Sequence, residues 1–157
     1  MPSKLHDHVA EQINRVILRQ LDAFIEQGET KTAELAGNIY PLGSADVEFP
    51  SRLTGNKNKK SPDKSYRHEP CDGYPPLVIE VAWSQNRLDL PKLAKRYIQG
   101  TKGAIRTMIG IDLQYWRPTE AAPGTPASFS IWRAGQPNLR GAPSVVQSDE
   151  RVRSPTI

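Results

Sequence analysis

Glu80 interrupts Leu77-Val78-Ile79-Glu80-Val81-Ala82-Trp83, a run otherwise composed for a protein interior. A carboxylate buried there without a partner costs several kcal/mol. A buried cation, a raised pKa or a metal must compensate, unless Glu80 lies at a strand end and is partly solvated. Asp63 stands 17 positions earlier, in Lys60-Ser61-Pro62-Asp63, at the start of the preceding short strand. If the two strands pair, both carboxylates meet at the sheet edge. Two such groups a few ångströms apart repel unless a divalent cation lies between them. Oxygen donors with no Cys or His point to Mg²⁺ or Mn²⁺ rather than Zn²⁺.

Other chemistry-bearing residues carry weaker signals. His6-Asp7-His8 cannot chelate together on a helix, because adjacent side chains diverge by about 100°. Glu11 lies off the apolar stripe of its helix. Asp46 and Glu48 flank Val47 and share one strand face, as solvated residues or as additional ligands. His68 is a candidate proton shuttle or an incidental loop histidine. Cys71 has no evident histidine partner, which argues against covalent catalysis. Trp83, Trp116 and Trp132 sit in or beside apolar strands, where core packing is the expected role.

The elements that must position Asp63 and Glu80 follow from periodicity. Residues 3–27 carry Leu5, Val9, Ile13, Val16, Ile17, Leu21, Phe24 and Ile25 at three- and four-residue steps, one stripe of a long amphipathic helix. Gly28 suits the left-handed position after it. Residues 29–43 are mixed, with a short strand near Asn38–Tyr40. Ala45–Phe49 alternates as a half-buried strand, and 51–61 reads as a basic, polar loop. A short strand starts near Asp63, and Leu77–Trp83 follows as a strand buried on both faces. Residues 89–99 form a second helix through Leu90, Leu93, Ala94, Tyr97 and Ile98, and Ile105–Ile111 a further buried strand. After a proline-rich connection, Ser128–Arg133 alternates as a returning antiparallel strand. The fold class expected is α/β, as an α+β mixed sheet with helices covering its faces. One domain spans 1–133, and 134–157 is an irregular or disordered tail that a linker to a larger protein would also explain.

Composition narrows the setting. The chain has 157 residues, 37% of them apolar and 24% charged, and 14 prolines where roughly 5% of residues is usual. No stretch approaches the ~20 apolar residues of a membrane helix. The N-terminal residues do not read as a secretory signal, and the single cysteine fits a reducing compartment, cytoplasmic or nuclear. The net charge of +4 is divided unevenly. Residues 52–67 hold six cations against one acid, as do residues 84–106, so each block is +5 and the remainder is −6. Both blocks on one side of the fold would make a phosphate-backbone footprint; otherwise they are solvated faces.

Pro62-Asp63, the gap of 17 residues to Glu80, and Leu77-Val78-Ile79-Glu80-Val81-Ala82 resemble the PD-(D/E)XK nuclease superfamily, the restriction-endonuclease-like fold. The resemblance runs over roughly residues 37–116, through the helix with Lys92, Lys95 and Tyr97. The helix over 3–27 matches that fold's opening helix, giving the order helix, three strands, helix, strand, here with an added C-terminal strand. It implies a Mg²⁺-dependent phosphodiesterase acting on DNA, with Asp63 and Glu80 holding the metal and a lysine serving the attacking water. The motif lysine's position, two beyond the glutamate, is Ala82. Either the amine has moved to the next helix, as Lys95 or Lys92 with Gln85 adding an amide, or the site is inactive and the fold binds nucleic acid or protein. The phosphate backbone would be held by Lys57, Lys59, Lys60, Lys64, Arg87 and Arg96, and a homo-oligomer or a larger protein context is open.

Overall fold

The computed structural model describes residues 4–49, 58–69, 73–83, 89–113, 127–137 and 141–151. The three- and four-residue apolar steps produce the expected first helix, α1 (Lys4–Gln27). Gly28 closes it differently from expectation. Its φ is not among the positive values, and its N–H bonds Phe24 O at 3.0 Å, continuing the helical pattern. A side chain at this position would run into that same carbonyl, so the glycine is explained by close approach. A second helix, α2 (Thr30–Gly37), follows where no element was expected. Eight residues with only Ala33, Leu35 and Ala36 apolar give almost no periodic signal, and Glu29 before it makes no side-chain cap. Packing against α1 sustains it.

Among the described residues eight strands follow: β1 (Ile39–Pro41), β2 (Val47–Phe49), β3 (Asn58–Lys60), β4 (Lys64–His68), β5 (Leu77–Trp83), β6 (Thr107–Leu113), β7 (Ala127–Pro137) and β8 (Pro143–Arg151). The helix α3 (Leu90–Gly100) lies between β5 and β6. Six strands form one sheet in the order β1-β4-β5-β6-β7-β8, and β2 and β3 pair separately as an antiparallel hairpin. Only β5 and β6 run parallel, because α3 carries the chain back across the sheet between them; the other neighbours are antiparallel. The architecture is thus mixed α+β with a mostly antiparallel sheet.

Two expectations are corrected here. Part of the expected 51–61 loop is strand β3, which buries little and is held by its ladder to β2. The expected tail from 134 onward is mostly sheet. β7 continues to Pro137, and β8 pairs along it from Pro143 to Arg151 with an irregularity between Ala134 and Pro137. Val145 packs against the core, but most of β8 is polar, so hydrogen bonding rather than apolar alternation defines it. Residues 152–157 lie outside the described residues, as do 51–57, Cys71 and Trp116. Among the described residues no helix is long and apolar enough to cross a membrane.

β5 is buried on both faces, as its composition requires. Val78 and Ala82 belong to the main core, with Met108 and Trp132 of the neighbouring strands and Leu90, Leu93, Ala94, Tyr97 and Ile98 of α3. Val47 and Phe49 of the hairpin complete that layer. Ile79 and Val81 face the other side. There α1 is tied to β4 by Lys64 Nζ on Glu11 Oε2 at 2.8 Å and by Tyr66 OH donating to Asn14 Oδ1 at 2.7 Å. Burial, with the nearby Glu11 charge adding to it, pushes the Tyr66 phenol up to about 12.

Gly110 of β6 stands in register with Glu80. A Cβ there would lie 2.6 Å from Trp132 Cζ3 and 3.1 Å from Leu90 Cδ1. Neither ring nor leucine can yield cheaply inside a packed layer, so Gly110→Ala is expected to destabilise the fold by ~1–3 kcal/mol in urea denaturation. A variant as stable as the parent chain contradicts this packing.

Candidate functional site

Glu80 sits at mid-strand between Val78 and Ala82, on the face covered by α3, and is 2% exposed. The apolar stripe of α3 brings Tyr97 directly over it. Tyr97 OH donates to Glu80 Oε1 at 2.6 Å, and Lys60 Nζ from β3 stands 3.6 Å from Oε2. Burial pushes the Glu80 carboxyl up to about 7. The Tyr97 hydroxyl and the Lys60 charge oppose that rise, while the Asp63 charge adds to it. Burial also raises the Tyr97 phenol, and the Glu80 charge raises it further.

Asp63 lies one residue before β4; its N–H bonds Ile79 O at 3.1 Å, the residue already opposite Lys64, so the regular ladder stops here. Its carboxylate then does the work of a missing strand residue. Oδ2 accepts the Val81 N–H at 2.7 Å, a donor that β4 has begun too late to meet. His6 of α1 approaches the same oxygen, Nε2 at 3.2 Å, while its Nδ1 stands 3.2 Å from Asp7 Oδ1. The Asp63 charge acts on Glu80, but Asp63 itself is bonded to Val81 and His6 while Glu80 faces α3, and neither lies at a sheet edge. β4 and β5 are inner strands, and the site lies where β4 ends against β5.

The amine beside Glu80 comes from Lys60, which was expected only as a phosphate contact. Lys92 and Lys95 are exposed on α3 and make no side-chain ion pair among the described residues. The face of α3 that meets the sheet is filled by Leu90, Leu93, Ala94, Tyr97 and Ile98. Gln85, Lys57 and Arg87 lie outside the described residues. Ala82, at the motif lysine's position, is packed within the core cluster.

The hairpin that delivers Lys60 is anchored from several sides. Phe49 stacks at a tilt on Tyr97, centroids 5.8 Å apart, and Arg96 lies over Phe49 at 4.8 Å while donating to Asn58 Oδ1. Tyr74 OH donates to Glu48 O at 2.6 Å. Lys59 Nζ stands 3.2 Å from Asp46 and 3.5 Å from Glu48. Ser61 and Lys59 together hold the Asp46 carboxyl below its ordinary range, and the two acids hold Lys59 above its own. Lys64 likewise lowers Glu11. Asp46 and Glu48 are thus neutralised across the hairpin rather than gathered at Asp63. Lys59, Lys60, Lys64 and Arg67 each face an acid, so the described part of the first basic block is internally matched. His68 stands five residues along the chain from Asp63, at the far end of β4.

The residues missed in this role are Tyr97, Lys60 and His6. A tyrosine inside an apolar stripe needs a partner for its hydroxyl, and the helix after β5 must cross that strand, so Tyr97 was findable. Nothing in the sequence placed His6 or Lys60, whose positions depend on tertiary packing. Among the described residues no group of three or more His, Cys, Asp or Glu stands close enough to hold a metal ion.

An ordinary glutamate titrates near 4.5, whereas folded Glu80 keeps its proton to about 7. Between those values the folded state binds the extra proton, so its contribution to stability falls as pH rises through this window and is flat above it. Without divalent cations, Glu80→Gln should gain up to about 3 kcal/mol relative to the parent chain between pH 5 and pH 8, in urea denaturation with chelator present. A constant difference across that range contradicts a buried, proton-retaining Glu80. Tyr97→Phe removes the donor from Oε1, and should cost ~1–3 kcal/mol at pH 8.

Comparison with protein-family models, with curated proteins and with solved structures gives no match to this chain.

Proposed function

We propose that Asp63, Glu80 and Lys60 form a divalent-cation-dependent phosphodiesterase site of the PD-(D/E)XK kind, acting on DNA. The observation that carries this reading is the buried mid-strand Glu80 with an ammonium 3.6 Å away and the charge of Asp63 near enough to disfavour its ionisation. The element order supports it. α1, the antiparallel strands β1, β4 and β5, then α3 and the parallel β6 follow the expected sequence of helix, three strands, helix and strand, with α2 and the β2–β3 hairpin inserted.

The donor set suits Mg²⁺ or Mn²⁺. Oδ1 of Asp63 makes no hydrogen bond among the described residues, and Oε2 of Glu80 has only the ion pair with Lys60, so each carboxylate keeps one oxygen for a cation. Mg²⁺ commonly takes one or two carboxylates and completes its shell with water and substrate phosphate, so two acids are enough. The bound ion would supply Lewis-acid charge to the phosphate and acidify a water. The chain's own groups do the rest. Val81 N–H and His6 fix one oxygen of Asp63, and Tyr97 fixes one oxygen of Glu80. Lys60 takes the part of the motif lysine, reaching Glu80 from the hairpin, and orients the attacking water. Lys92, Lys95 and Arg96, exposed on α3, hold the phosphate backbone.

Ala82 favours a second reading, a nuclease-fold module that binds nucleic acid or protein without turnover. Cleavage of supercoiled plasmid with Mg²⁺ or Mn²⁺ separates the two. Metal-dependent nicking is expected, with loss in Asp63→Ala and Glu80→Ala, and a fall of about 100-fold or more in Lys60→Ala. Lys92→Ala and Lys95→Ala should weaken DNA binding and its salt dependence while leaving the cleavage step intact. Equal nicking by all variants refutes the site. Salt-sensitive DNA binding with no nicking, and no Mg²⁺ heat in calorimetry, supports the inactive module.

A further inference from the structure

Lys60 is paired with the one Glu80 oxygen that a metal ion would use. Oε1 of Glu80 accepts the Tyr97 hydroxyl at 2.6 Å, which leaves Oε2 for a cation. The Lys60 ammonium stands 3.6 Å from that same oxygen. Mg²⁺ would lie about 2.1 Å from it. Two like charges would then share one carboxylate oxygen in a place that burial keeps from water, where their repulsion is little screened. The ammonium and the metal ion therefore compete for Oε2.

The structure also shows which of the two can yield. The backbone of Lys60 is fixed opposite Val47 by the pairing of β3 with β2. Its side chain is 31% exposed, so the amine has a way out to water that needs no movement of the strand. Glu80 is its only carboxylate partner among the described residues, whereas the neighbouring Lys59 is shared between Asp46 and Glu48. Glu80 itself has no such freedom, because it is enclosed between β5 and α3 and bonded by Tyr97. A monovalent ion would replace one single positive charge by another. A divalent ion brings a second charge, which the Asp63 carboxylate is near enough to use, since its own charge already acts on Glu80.

We infer that the Lys60 ammonium is a stand-in for the divalent cation, pairing with Glu80 Oε2 in the metal-free protein and leaving it for solvent when the ion binds. The inference rests on the metal site proposed for Asp63 and Glu80. It gives Lys60 two effects of opposite sign: the charge that serves the attacking water also holds the cation affinity down.

The test reads cation binding rather than cleavage. Mn²⁺ is titrated calorimetrically into the full chain, into Lys60→Met, which keeps the stem without the charge, and into Lys60→Arg, which keeps the charge. Far-UV circular dichroism checks that each is folded. Lys60→Met should bind Mn²⁺ about tenfold more tightly than the parent chain, the scale of a nearby like charge. Lys60→Arg should bind no more tightly than the parent. Adding Asp63→Ala to Lys60→Met should abolish the binding, which assigns the heat to this site. A second measurement needs no substitution: acetylation of the parent chain's lysines, read by peptide mass. In the metal-free chain Lys60 should react more slowly than Lys92 and Lys95, and Mn²⁺ should raise its rate relative to theirs. Unchanged or weaker Mn²⁺ binding in Lys60→Met, or Lys60 acetylation indifferent to bound Mn²⁺, overturns the stand-in and leaves the metal site standing. No Mn²⁺ binding by either the parent or Lys60→Met, or binding that survives Asp63→Ala, overturns the metal site itself and the stand-in with it.

Discussion

A carboxylate held between Val78 and Ala82 at 2% exposure has lost its water, and the groups that replace that water set the positions of three other elements. Tyr97 has to present its hydroxyl from α3, which fixes the rotation of that helix over β5. Lys60 has to reach in from β3, which fixes the docking of the hairpin. Asp63 has to end β4 where it does, because its side chain takes the Val81 N–H that no further strand residue is present to take. Even so, the balance of forces on Glu80 favours retaining its proton, because loss of solvent outweighs the tyrosine and the lysine together. An arrangement that is costly for stability alone is the usual mark of a site with chemical work to do, since an apolar residue would pack there at less cost.

The basic surface looks different once its partners are known. Two blocks of +5 would make one footprint if both lay on one side of the fold, and solvated faces otherwise. In the folded chain Lys59, Lys60, Lys64 and Arg67 of the first block all face carboxylates, and these pairs join β3 to β2, β3 to β5, and β4 to α1. Apart from the pair with the buried Glu80, these are exposed or half-exposed and contribute little individually, but they orient the elements that carry them. On α3, by contrast, the side chains of Lys92 and Lys95 have no acid among the described residues.

The parts of the fold legible in the sequence are those whose burial is written as a period. The α1 stripe, the unbroken run of β5, the stripe of α3 and the alternation of β7 each announce an element because one face, or both, must leave water. β3 and β8 are held chiefly by ladder hydrogen bonds, and α2 by its neighbour, so their sequences carry little of that signal. The site divides in the same way. Glu80 was visible because a charge inside an apolar run is an anomaly on its own strand, and Asp63 through its expected pairing with Glu80 and the motif that their spacing resembles. Lys60 was one of several lysines in a polar segment, and only the pairing of β3 with β2 and the seat of Phe49 on α3 select it.

That seat gives the position of Lys60 a consequence for how the site is assembled. A lysine at position 82 would have been carried by β5 itself, rigid with Glu80, but its stem would displace packing that Ala82 now shares with Leu90 and Leu93. Supplying the ammonium from the hairpin leaves that layer apolar and makes its position depend on a tertiary contact. Phe49 lies against Gly100, where a Cβ would come within 2.9 Å of its ring, and Arg96 lies over the ring. The hairpin therefore docks on the same helix that provides Tyr97, so one element sets both groups that meet Glu80. A shift of α3 relative to β5 would move the hydroxyl directly and bear on the ammonium through Phe49, while Tyr74 holds the hairpin independently of that helix.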